Sequence, residues 1–244
     1  MLFRNAAAFL LHLFALAQSL PTDQQPLQDS VPDGLLNVRA QLFRAEIIPT
    51  VIDDFLPLIE LSVTWDKKNK ASLGNTLKPK KLQDQPAISL HEDRHPDGRT
   101  ATDMTFIVAL TDPDAPSRDD PKWSEMCHWI ATNVSLSEKT VSILPVPYFG
   151  LEEEIANNKG KGHHLDELVP YKPPGPPPKT GKHRYVFLVF GPRNGTTSPL
   201  NLTKPKDRQH WGTGEERKGV RQWAAENGLV PIGANFIYAQ NKKQ

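Results

Sequence analysis

Residues 110–129 read LTDPDAPSRDDPKWSEMCHW, and how they are read decides the fold. An apolar run rich in β-formers, residues 104–110, stops at Asp112-Pro113-Asp114-Ala115-Pro116, and a His-Trp pair then opens the next apolar run. The pattern predicts two strands joined by a proline-stiffened loop that carries carboxylates and an imidazole at neighbouring strand ends. Proline fixes φ and removes an N–H donor, so a carboxylate held this way is costly unless something uses it. The stretch is read as half of a ligand pocket.

Within it, several readings compete. Asp112, Asp114, Asp119 and Asp120 resemble a calcium loop, but Ser117 and Trp123 stand where an EF-hand needs its glycine and its glutamate. Cys127 is the only cysteine, so no intramolecular disulfide is available. Strand neighbours point to opposite faces, which sets His128, Ile130 and Thr132 on one side and Trp129, Ala131 and Asn133 on the other. Cys127 should then face away from the pocket as a buried, inert thiol.

Upstream, residues 58–65 (LIELSVTW) alternate as a half-buried strand does, and residues 87–90 form a second short one. Before them a helix is predicted, capped by Asn37, with Leu36, Ala40, Phe43 and Ile47 at three-to-four spacing and Pro49 stopping it. His91-Glu-Asp-Arg-His95 matches the zinc-protease signature, which has mechanical meaning only on a helix. Pro96 and the turn pair Asp97-Gly98 argue against one, so no metal is expected.

Downstream, residues 135–158 mix loop with a possible short acidic helix, and His163-His164 sit in a Gly/Lys-rich connection expected at the surface. Residues 170–178 (PYKPPGPPP) precede the wholly apolar run 186–190 (VFLVF). The second reads as a central strand buried on both faces, the first as a rigid wall beside it. Thr213-x-x-Glu216 is a capping box for a last helix with Val220, Trp223 and Ala224 as its stripe and Gly228 as its stop. Residues 229–238 (LVPIGANFIY) close the fold as a strand. Strands dominate, with helices peripheral.

The chain has 244 residues, enough for one ordinary domain. With 29 basic and 28 acidic side chains its net charge is +1, and no basic patch interleaved with aromatics is present, so nucleic acid is excluded as the expected partner. Residues 1–19 carry one strong charge, Arg4, then an apolar run and small residues, as a signal peptide does. Residues 20–34 are read as a flexible lead and 35–244 as the domain. The expected address is the secretory pathway or the exterior, where Asn133, Asn194 and Asn201 are glycosylation acceptors by their sequons.

Two motifs, residues 110–118 with Glu125-x-x-His128-Trp129, and Gly175-Pro-Pro-x-x-Thr-Gly-Lys-His-Arg-Tyr185, resemble the two signature regions of the phosphatidylethanolamine-binding protein family. The resemblance runs from about residue 34 to the end. It implies an all-β dominated fold, an antiparallel β-sandwich with short peripheral helices and a small anion pocket at one end of the sheets. Carried over residue by residue, the pocket comprises Asp112, Pro116, His128, Gly175, Pro177, His183 and Tyr185. This sequence departs from the pattern at Met126, where many relatives carry an aromatic residue, and at Pro173 and Lys179, often glycine. No C-terminal helix of the kind that gates the pocket in animal members is expected, which implies a more open mouth.

The residues themselves agree with such a pocket. His128 and His183 offer N–H, Tyr185 offers O–H, and Gly175 lets its backbone N–H come close to a phosphate or carboxylate. Asp112 among acceptor oxygens must share a proton with the ligand or orient a histidine, and its pKa is expected to rise when an anion binds. Asp112, His128 and His183 are equally the candidates for acid/base catalysis. No cofactor is expected. The resemblance leaves three functions: binder of a small anion or lipid head group, fungal secondary-metabolite protein assisting coupling of maleic anhydride monomers beside a pathway enzyme, or secreted serine carboxypeptidase inhibitor with a protease partner.

Overall fold

The computed structural model describes residues 33–92, 104–137 and 165–244. The predicted leader, His95 of the zinc-like motif, the acidic stretch 138–158 and His163-His164 lie outside them. The described order is α1 (Asp33–Arg44), β1 (Ile59–Asp66), β2 (Asn69–Lys70), β3 (Asn75–Leu77), β4 (Ala87–Glu92), β5 (Phe106–Asp112) and β6 (Met126–Val134). Then come β7 (Asp166–Val169), β8 (Lys182–Pro192), α2 (Val220–Glu226) and β9 (Leu229–Gln240). One sheet runs β2-β1-β4 and the other β3-β9-β8-β5-β6-β7. All strand pairs are antiparallel except β3 with β9.

The larger sheet is buried on both faces, which explains why residues 186–190 do not alternate apolar with polar. Phe187 and Val189 face the smaller sheet with Leu61, Leu90, Val108, Trp129 and Ile237. Val186, Leu188 and Phe190 face the helical side, with Leu42, Ile47, Trp211 and Trp223. β8 lies centrally in the order, between β9 and β5. The sheets meet at a corner where β9 passes close to β1: a Cβ on Gly233 would lie 2.6 Å from the Ile59 carbonyl oxygen, so only glycine fits.

Both described helices differ in detail from the sequence expectation. α1 begins at Asp33, inside the predicted lead, and buries Leu35, Val38 and Leu42 while Leu36 and Phe43 are exposed. Two apolar stripes of helical spacing overlap in this segment, and contact with the sheet selects the one that spacing did not favour. Asn37 is not a cap; its side chain accepts from Gln41 within the helix.

The capping box does not start α2 either. The Thr213 hydroxyl donates to the His210 carbonyl (2.8 Å) and accepts from the Glu215 amide (3.2 Å), closing a turn. The first amide of α2, on Val220, is met instead by Glu125 Oε2 at 3.4 Å. Val220, Trp223 and Ala224 are its buried face, and Gly228 ends it at φ +65°. His91 and Glu92 lie on strand β4, not on a helix, where i and i+4 side chains would have converged.

Candidate functional site

Asp112 ends β5, and its carboxylate is fixed on both oxygens. Oδ1 accepts from the Asp114 amide at 2.8 Å, and Oδ2 lies 2.9 Å from His183 Nδ1. Asp114 turns the other way. Its carboxylate takes Arg184 Nη2 (2.6 Å), Nε (2.9 Å) and backbone N–H (2.8 Å), while Arg184 Nη1 donates to the carbonyls of Ala45 and Glu46. This buried bidentate pair ties the proline-rich loop to β8 and to the turn after α1. Asp114 is structural, and Asp112 faces the cavity.

A bulge in β6 aims His128. Leu110 pairs with Trp129 and Thr111 with Cys127, so His128 is the extra residue between them. Strict alternation, which set His128 opposite Trp129, therefore fails at this point. Cys127 packs on the helical side and Trp129 on the inter-sheet side. His128 meets Tyr185 edge to face at 5.2 Å between ring centroids, on the same side as Trp129. The bulge thus delivers Cys127 away from the cavity and His128 into it.

All seven sequence-predicted residues, Asp112, Pro116, His128, Gly175, Pro177, His183 and Tyr185, line one cavity of about 120 Å³. Trp123 and Met126 complete its apolar side. The proline wall is stitched to the end of the chain: Asn241 Nδ2 donates to the Pro176 carbonyl (3.0 Å) and the Lys179 amide to that of Lys243 (2.8 Å). Lys179 sits at φ +64°, a left-handed conformation that favours glycine.

The hydrogen bonds revise which donors are available. Thr180 Oγ1 donates to the Pro177 carbonyl (2.8 Å) and lies 2.9 Å from His183 Nε2. With its one hydrogen committed, that hydroxyl accepts, so Nε2 carries a proton. His183 is thereby engaged at both nitrogens and positions Asp112. It is not the free N–H donor that the sequence reading expected. Thr180 stands in the second motif but was not assigned to the pocket from the sequence, although it lies three residues before His183.

His128 is the exception. Its Nδ1 lies 2.8 Å from the Lys172 carbonyl and so donates, leaving Nε2 for a ligand. Burial lowers its pKa, against the opposing pull of Asp112. Burial, then Asp112, raises Tyr185 well above the ordinary tyrosine range. The resting cavity therefore presents a neutral imidazole lone pair beside a hydrogen-bonded carboxylate. An anion gains a donor there only if it brings a proton or if His128 takes one up.

Behind the cavity lies a second polar knot. The Trp211 indole donates to Thr111 Oγ1 (3.0 Å), which donates to Glu125 Oε2 (3.0 Å). Burial pushes the Glu125 carboxyl up to about 8, although the Thr111 and Val220 bonds favour its ionised form. Cys127, also buried, is pushed up to about 12. Among the described residues no group of three or more His, Cys, Asp or Glu is arranged to hold a metal ion.

A β-sandwich with this cavity at the strand ends defines a class, and residues 67–237 match the phosphatidylethanolamine-binding protein model. The chain belongs to that family. It is 35% identical over 207 residues to the carboxypeptidase Y inhibitor of Saccharomyces cerevisiae, covering 80% of this chain and 91% of the inhibitor. TERMINAL FLOWER 1 of Arabidopsis thaliana is 27% identical over 202 residues, covering 82% of this chain and 90% of the plant protein. In structure it is similar to carboxypeptidase Y inhibitor complexed with the cognate proteinase, with TM-score 0.68 and 29% identity over 88% of this chain and 100% of that one. A Plasmodium vivax phosphatidylethanolamine-binding protein shares the fold, at TM-score 0.57 and 19% identity over 83% of this chain and 97% of its own.

Proposed function

We propose that this protein is a small-ligand-binding member of its family, taking a phosphate or carboxylate group of a small molecule or lipid head group at the Asp112–His128 cavity. The observation that carries this reading is the free Nε2 of His128, directed into a cavity of about 120 Å³. That volume corresponds to about four waters at ~30 Å³ each. It suits a head group. Calorimetry with phosphoethanolamine and inorganic phosphate tests the reading: H128A must lose the binding heat seen for the native protein. No heat with either ligand refutes it.

A second reading is inhibition of a serine carboxypeptidase, through a surface rather than the cavity. It is supported by the 35% identity to the yeast inhibitor and by the likeness to the inhibitor in complex with its proteinase. Micromolar protein is expected to slow peptide hydrolysis by carboxypeptidase Y, and an unchanged rate refutes it. The apolar run in residues 1–19 supports entry to the secretory pathway. Secreted protein is expected to lack those residues by mass spectrometry, and intact Met1 in the medium rejects the cleavage.

A further inference from the structure

On the face of β6 away from His128 lies a larger cleft, about 360 Å³, that shares no lining residue with the Asp112 cavity. Cys127 and Pro170 border it, and its charged groups are Lys204, Lys206, Asp207 and Arg208. Three cations against one carboxylate leave a surplus of two positive charges. Among the described residues none of the three cations is ion-paired to a carboxylate.

Arg208 is held in place by the backbone. Its Nη1 donates to the carbonyls of Cys127 (3.2 Å) and His128 (3.1 Å), and its Nη2 to that of Pro170 (2.8 Å). A guanidinium has five N–H donors in a rigid planar fork, so Nε–H and the second Nη2–H remain. Nε and Nη2 share one edge of the fork. That edge grips a phosphate or carboxylate with two parallel bonds, and because the carbonyls already fix the group, little rotamer freedom is lost on binding. Lys204 and Lys206, both exposed, flank it across the rigid Pro205.

We propose that this cleft is a second ligand site that binds a phosphate monoester, with the phosphate on the Nε/Nη2 edge of Arg208 and between Lys204 and Lys206. Two surplus positive charges match a phosphate dianion, whereas a carboxylate would leave one unmet. The volume exceeds that of the phosphate group and leaves room for the esterified carbon chain. The ester is either a soluble phosphorylated metabolite or the head group of a phospholipid.

The test uses the full chain, native and as K204E/K206E and H128A. Glycerol 3-phosphate is titrated by calorimetry, and vesicles of phosphatidylcholine with phosphatidic acid are sedimented with the protein. K204E/K206E is expected to weaken binding about tenfold or more, as losing charge-assisted bonds does. In H128A, where the Asp112–His128 cavity no longer binds phosphate, the component of binding that K204E/K206E weakens should persist. Loss in the calorimetric arm assigns a soluble ester, and loss in the vesicle arm alone assigns a lipid head group. Equal affinity of K204E/K206E and native protein in both arms, binding abolished by H128A, or no binding in either arm overturns the proposal.

Discussion

Replacing Glu125 by Gln should make the protein more stable as pH rises, because the native carboxyl is protonated where the unfolded one is not. Burial sets its folded pKa at about 8 against an ordinary value of 4.5. A folded pKa above the unfolded one gives a contribution fully present below pH 4.5 and lost as pH rises through about 8. The slope is about 1.4 kcal/mol per pH unit in that window. At pH 7 the loss is about 3 kcal/mol, and above pH 8 about 5 kcal/mol.

Gln is nearly isosteric and keeps an acceptor for the Thr111 hydroxyl and the Val220 amide, while having nothing to ionise. Urea denaturation of native and E125Q protein at pH 5, 6, 7 and 8 should show similar stability at pH 5 and a gap that widens steadily. By thermal melting the pH 7 gap corresponds to about 6–12 °C, at about 2–4 °C per kcal/mol for a chain of this size. Subtracting the two proteins cancels His128, whose lowered pKa acts in the opposite sense by costing stability as pH falls. A gap that does not grow with pH, or E125Q weaker than native at pH 8, refutes the argument.

Other outcomes are equally checkable. In an NMR pH titration of the free protein His128 should titrate below 6.5, and its midpoint should move upward on adding phosphate; an unmoved midpoint counts against ligand at Nε2. D114A leaves the Arg184 guanidinium buried without its partner and should cost about 3–5 kcal/mol in chemical denaturation, as broken buried pairs do. Native Cys127 should resist iodoacetamide at neutral pH and react only on unfolding, since burial holds the thiol at about 12. G219A would set a Cβ 2.7 Å from both Glu125 Cβ and Trp211 Cδ1, and should cost about 1–3 kcal/mol of stability by overpacking.

The strands were legible because burial leaves a local record. The run at 186–190 has no polar position because both faces of β8 are covered, and the alternation at 58–65 records the smaller sheet with one face open. The site list was legible through two multi-residue motifs, and its seven members do converge on one cavity. The misread features share a cause. α1 carries two stripes of the same period, and Thr213 has the chemistry of a cap but spends its hydroxyl on the preceding turn.

Sequence alone therefore determined a strand-dominated chain with a doubly buried central strand, a proline wall and two motif halves, since apolar periodicity and proline stiffness act within a few residues. Only the tertiary structure decided what each polar group does. The β6 bulge that turns His128 toward the cavity depends on register with β5, which local alternation does not encode. His183 is engaged through Asp112, 71 residues away in sequence, and Arg208 through carbonyls 38 to 81 residues away. Such partners are set by which hydrogen bonds the packed chain leaves unmet, and that is fixed only once the sheets have closed.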